Sequence, residues 1–159
     1  MREAAEKMMA RLGIDQAFVN ANAKDSEKEK HTSAEIHLTG RYAVGTAMAV
    51  YAAIDAFGVS YTVSYKRSNT DITLRIFGRE SQVERMKIIG ESLHLQAIAA
   101  MSEWWKVNRA NYSYNTENEK FRVRRQFLFS FGAGAAQRIR SEIVAAESEN
   151  AGTALVLAN

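Results

Sequence analysis

Polar and apolar positions change period several times along this chain, and each change marks an element. Residues 1–12 read as a helix, with Met8, Met9 and Leu12 able to pack and Gly13 placed as a C-terminal cap. Residues 20–33 are polar and charge-rich and read as a solvated loop. From Ala34 to Thr39 the period is two, with Ile36 and Leu38 on one face and Glu35 and His37 on the other, which predicts a half-buried strand. Residues 41–57 follow at helical spacing. Ala47, Val50, Ile54 and Phe57 form one apolar stripe, and Val44, Met48 and Tyr51 form a second. A helix apolar on two sides is expected to be deeply buried, and Gly58 is expected to end it.

Alternation returns in Tyr61, Val63 and Tyr65, and again in Ile72, Leu74 and Ile76, across the polar connection 66–71. This predicts a β-hairpin with one face in the core. Gly78 is read as the end of its second strand. Ser81 and Glu84 have capping-box spacing, and a long helix is expected from there to about Arg109 on the stripe Met86, Ile89, Leu93, Ala97, Ala100 and Trp104. Residues 110–118 read as a loop. A second long helix is expected over 119–147 on the stripe Leu128, Phe131, Ala135, Ile139 and Ile143. Gly132 and Gly134 lie inside it, where each costs about 1 kcal/mol relative to alanine and points to close approach of a neighbouring backbone. Residues 148–152 are read as a break and 154–157 as an edge strand.

The predicted fold class is therefore α+β, in the order α-β-α-β-β-α-α-β. A small antiparallel sheet containing the hairpin packs against two long helices, with a further buried helix. The two long helices are expected to form an antiparallel pair, and their exposed apolar positions to support a homodimer. One domain is expected over residues 1–159.

Composition narrows the functional classes. The 159 residues contain no cysteine, which excludes a disulfide framework, a thiolate metal site and a cysteine nucleophile. Proline is also absent, where average usage would supply roughly eight; long uninterrupted helices tolerate this. The charged N-terminus lacks the apolar core of a secretory signal. The longest apolar stretch, residues 43–54, is too short to span a bilayer and ends at Asp55. A cytoplasmic protein without membrane association is expected.

Three blocks, taken in order, resemble a known family. Met8-Met9-Ala10-Arg11-Leu12-Gly13-Ile14, within EAAEKMMARLGID, is similar to the end of the N-terminal motif of domain-of-unknown-function family twenty-seven eighty-six. Met8 stands for its leucine and Leu12 for its usual aromatic residue. IFGRESQVERMKIIGESLHLQ resembles the family's downstream strand–glycine–helix segment. RRQFLFSFGAGAAQRIRSEI, followed by ALVLA, resembles its last helix and terminal strand. The blocks comprise 59 of the 159 residues, a little over a third of the chain. The resemblance implies a bacterial or phage origin, makes residues 1–14 the remnant of a helical motif, and implies flanking segments in longer members. It supplies no activity.

No catalytic constellation emerges. His31, His37 and His94 lack the spacing of a zinc site, so no metal and no cofactor are expected. Gly132-Ala133-Gly134 lacks a third glycine and falls inside a helix, whereas a phosphate-binding loop opens a helix after a strand. No Gly-x-Ser-x-Gly elbow is present. The pairs Glu80 with Glu84 and Glu142 with Glu147 lie on charge-rich helix faces that read as solvated.

The strongest candidate is a basic cluster. The net charge is only +3, but Lys120, Arg122, Arg124, Arg125, Arg138 and Arg140 fall on the last helix, opposed between residues 119 and 140 by Glu119 alone. Trp104, Trp105, Lys106, Arg109, Tyr112 and Tyr114 precede them. Arginine forks match phosphate geometry, and aromatics among cations suit single strands, where bases stack and phosphates pair. Lys106, Arg109, Lys120, Arg122, Arg124, Arg125 and Arg138 are therefore candidate nucleic-acid contacts. The alternatives for the same residues are a solvated charged face and a site for a protein or an anionic ligand.

A second candidate surface comprises Lys66 and Arg67 at the hairpin tip with Arg75 and Arg79. Three functional expectations follow: a non-enzymatic accessory protein that contacts nucleic acid through the basic helix, a module that binds a host protein, and a small-ligand binder or enzyme whose site assembles only in space.

Overall fold

The computed structural model describes residues 29–66 and 69–158, with side chains as far as Gly152. The expected N-terminal helix, the family-like motif 1–14 and Arg67 lie outside the described residues. Strand β1 spans His31–Thr39, helix α1 Ala43–Ala56, β2 Ser60–Lys66, β3 Asp71–Arg79 and helix α2 Glu80–Asn108. A 3-10 turn, Arg109–Tyr112, leads to helix α3, Glu117–Ala158.

The strands form one antiparallel sheet in the order β1-β3-β2. Register follows hydrophobic pattern: Leu74 lies opposite Ile36 on one side and Val63 on the other, and Ile72 opposite Leu38 and Tyr65. Side chains alternate across a strand, so these residues share the face that meets the helices. Because β1 and β2 both oppose β3, they run parallel to each other. Two parallel strands need a crossover, and α1 supplies it.

Helices α1 and α2 cover the inner face of the sheet, and α3 packs on α1. Being sandwiched explains the two apolar stripes of α1, which buries Ala43, Gly45, Thr46, Ala47, Ala49, Val50, Ala53 and Ile54. The expected pairing of α2 with α3 is limited: α1 carries most of the packing of α3. Small residues make this possible. At Gly132 a Cβ would stand 2.9 Å from that of Ala49 and press on its backbone, so glycine sets the approach of α3 to α1. Gly134 has nothing within 4 Å of an added Cβ, and the expectation of close packing fails there.

Four further boundaries differ from the sequence reading. Strand β3 continues through Gly78, paired with Thr32 at φ 156°, and joins α2 without a linker. Helix α2 consequently starts before Ser81, which is no longer a cap. Its first amides are met instead from a distant segment: Glu80 N–H donates to the Lys30 carbonyl at 3.0 Å and Ser81 N–H to Glu29 Oε1 at 2.7 Å. The third difference is at the far end, where α3 runs on through 148–158 in place of the expected break and edge strand. One glycine there costs about 1 kcal/mol, too little to stop a helix lacking proline. The first strand also starts earlier than expected, at His31, inside the segment read as loop. Among the described residues no helix is long and apolar enough to cross a membrane.

Candidate nucleic-acid interface

The turn between α2 and α3 creates the site. Asn115 N–H donates to the Tyr112 carbonyl at 3.0 Å and Lys120 N–H to the Thr116 carbonyl at 3.0 Å. Thr116 Oγ1 accepts the Glu119 N–H at 3.2 Å, and Glu119 Oε2 accepts the Thr116 N–H at 3.3 Å. This reciprocal pair is a capping box, and it starts α3 at the required place. Asn115 Nδ2 also donates to Glu119 Oε2 at 2.7 Å. That bond, aided by the Thr116 N–H and the Arg122 charge, holds the Glu119 carboxyl below its ordinary pKa.

Beside this turn lies an open groove of about 460 Å³, lined by Trp105, Arg109, Ala110, Ser113, Glu117, Lys120 and Arg124. Arg124 forms its wall. The Arg124 guanidinium lies 4.7 Å from the Trp105 ring centre and 5.7 Å from that of Tyr42, and its Nε donates to the Lys120 carbonyl at 3.3 Å. Trp105 in turn stacks on Tyr112, with centroids 5.8 Å apart.

The pattern continues across the surface. Arg41 lies 5.4 Å from the Tyr42 ring centre and 4.7 Å from that of Phe121. Arg125 lies 5.8 Å from Phe121 and 5.7 Å from Phe129. Tyr42 and Phe121 stack at 5.4 Å. Three arginines are thus each in reach of two aromatic rings, forming a ladder from Trp105 to Phe129. Each cation–π contact contributes roughly 0.5–2 kcal/mol. Contact with a ring occupies the face of a guanidinium and leaves edge N–H groups for an anion. Among the described residues, Arg41, Arg124 and Arg125 have no carboxylate partner.

Not all the candidate residues join. Arg109, Lys120 and Arg124 line the groove and Arg125 extends the ladder. Lys120 is 3.3 Å from Glu117, an acid just outside the window in which Glu119 stood alone. Lys106 pairs with Glu103 at 3.1 Å. Arg122 is exposed near Glu119 and does not line the groove. Arg138 lies fourteen residues beyond Arg124, roughly 21 Å along the helix, and Arg140 pairs with Asp55 at 3.5 Å. Sequence reasoning missed Arg41 and Tyr42. They sit in the β1–α1 turn, far away in sequence, and only the packing of α1 on α3 brings them to the site.

The second candidate surface is strung along the sheet. Arg75 is held by Glu35 through an ion pair, which keeps the Glu35 carboxyl below its ordinary pKa. Lys66 pairs in register with Asp71 at one end of β3, and Arg79 stands at the other, so the three do not form one patch. His37 shares this outer face, with Nδ1 3.1 Å from Thr73 Oγ1 and Nε2 3.3 Å from Glu35. His94 lies in α2, where burial lowers its pKa. Among the described residues no group of three potential ligands is placed to hold a metal ion.

Comparison with protein-family models, curated proteins and solved structures finds no match for this chain.

Proposed function

We propose that this protein is a nucleic-acid-binding accessory protein, with the α2–α3 corner as its contact surface. The arginine–aromatic ladder beside the groove carries this reading. Cations spread along a surface complement a phosphate backbone, and rings that hold guanidiniums in place reduce the ordering cost of binding. Long, independently mobile lysines would offer charge without that order. The bacterial or phage origin implied by the resemblance is compatible with such a role but adds no residue to it.

The test is fluorescence anisotropy of labelled DNA and RNA oligonucleotides with the wild-type chain and an Arg109→Ala/Arg124→Ala variant. Binding at low salt that weakens at least several-fold in the variant supports the reading. Absence of binding at low salt overturns it.

A protein partner or second copy is a separate reading. It is favoured by Ile88 and Leu95, which are 61% and 68% exposed and lie two turns apart on α2. Sedimentation velocity of wild type and an Ile88→Ser/Leu95→Ser variant tests it: a dimer lost in the variant supports self-association, and a wild-type monomer removes that form of the reading.

A further inference from the structure

We infer that the nucleic acid bound at this corner is single-stranded, and that Tyr114 is the platform on which an unpaired base stacks. The inference rests on the nucleic-acid reading above and specifies its substrate.

The rings near the groove are already engaged. Trp104 stacks on Phe127 at 5.1 Å, Trp105 is stacked on Tyr112 and contacted by Arg124, and Tyr42 is stacked on Phe121. Each of these rings has a face engaged by another ring, and Trp105, Tyr42 and Phe121 also contact arginines. Tyr114 is the exception, at 102% relative exposure, with its ring as open as in an extended chain. It directly follows Ser113 and stands three residues before Glu117, both of which line the groove.

Its backbone is nevertheless fixed. Ser113 N–H donates to the Ala110 carbonyl and Asn115 N–H to that of Tyr112. The Asn115 side chain and the Thr116 backbone are both bonded to Glu119. Tyr114 is therefore a bare ring on a pinned turn whose residues Ser113 and Glu117 line the groove together with Arg109, Lys120 and Arg124. Bases within a duplex are stacked on both faces, whereas an unpaired base can be turned out onto an aromatic ring. A platform of this kind selects single strands, and because every base has a π-face, sequence preference should be weak.

The experiment compares a labelled mixed-sequence single-stranded DNA and its duplex, each titrated with wild type, Tyr114→Ala, Tyr114→Phe and Arg109→Ala/Arg124→Ala. Circular dichroism checks that each variant is folded. We expect the single strand to bind more tightly than the duplex. Tyr114→Ala should weaken the single strand by about five-fold or more and leave duplex binding unchanged, and Tyr114→Phe should retain wild-type affinity. A Tyr114→Ala variant that binds the single strand as wild type does, or a wild-type preference for duplex, overturns the inference. If the double arginine variant still weakens binding in that case, the nucleic-acid reading stands without it. Failure of the wild type to bind either probe, or a single-stranded RNA of the same sequence, overturns both.

Discussion

The guanidinium of Arg124 lies 4.7 Å from the ring centre of Trp105, joining the end of α2 to the start of α3 at the groove. The ring restricts the arginine, its Nε donates to the Lys120 carbonyl, and its terminal Nη groups are left to meet an anion. Trp105→Leu should therefore preserve folding, since Trp105 is only half-buried, yet reduce oligonucleotide affinity several-fold. Arg124→Lys should reduce it too, because lysine keeps the charge but not the planar fork. Anisotropy titrations measure both; wild-type affinity in both variants would show that the ring–arginine contact does not contribute.

Lys120 is drawn toward Glu117, at 3.3 Å. An arriving phosphate must compete with this carboxylate and is also repelled by it. Glu117→Gln should strengthen oligonucleotide binding several-fold, with the largest gain at low salt where charges are least screened. Weaker binding in this variant would mean that Glu117 holds Lys120 in its working position.

The two glycines of α3 should respond oppositely to alanine. Gly132→Ala forces a methyl group onto the Ala49 backbone and is expected to cost about 1–3 kcal/mol. Gly134→Ala has open space and is expected to stabilise by up to about 1 kcal/mol through helix propensity. Urea denaturation distinguishes them, and equal effects would contradict the packing of α3 on α1.

Stability should carry an acid-side signature of the turn that holds Tyr114. The Asn115 bond, first among several contacts, lowers the Glu119 pKa in the folded state. Such a group stabilises fully above its unfolded pKa, near 4.3 for glutamate, and loses that contribution as pH falls through the folded value. The melting temperature of Glu119→Gln should lie below that of wild type at neutral pH and converge with it under acid conditions. Glu29 and Glu35 have lowered pKa values as well and contribute acid sensitivity common to both proteins, so the difference between the two curves is the informative quantity. A constant difference across pH would contradict the assignment to Glu119.

Much of this architecture was legible in the chain. The alternation of Ile72, Leu74 and Ile76 located the central strand, and the double stripe of α1 correctly implied burial on two sides. Capping-box spacing at Ser81 does not reveal that the preceding strand runs straight into the helix. The genuine box, Thr116 with Glu119, carries the same spacing, but Thr116 sits at the end of a polar segment that reads as loop. At the candidate site, Arg109, Lys120, Arg124 and Arg125 were visible as a run of charge. Arg41 and Tyr42 were not, because the contact of α1 with α3 is long-range and leaves no local period. Nor does a charge run reveal which members are neutralised: Lys106 and Arg140 look like Arg124 in sequence and differ from it through Glu103 and Asp55.

The salt dependence of single-strand binding tests the central claim most directly. Each phosphate neutralised releases counterions, so the logarithm of the affinity should fall linearly with the logarithm of salt concentration, with a slope of about −0.7 per contact on a single strand. With Arg41, Arg109, Lys120, Arg124 and Arg125 in play, a steep wild-type slope is expected, reduced by about one contact in Arg124→Ala. A flat wild-type dependence, or a slope untouched by loss of Arg124, would contradict a phosphate-binding role for the ladder.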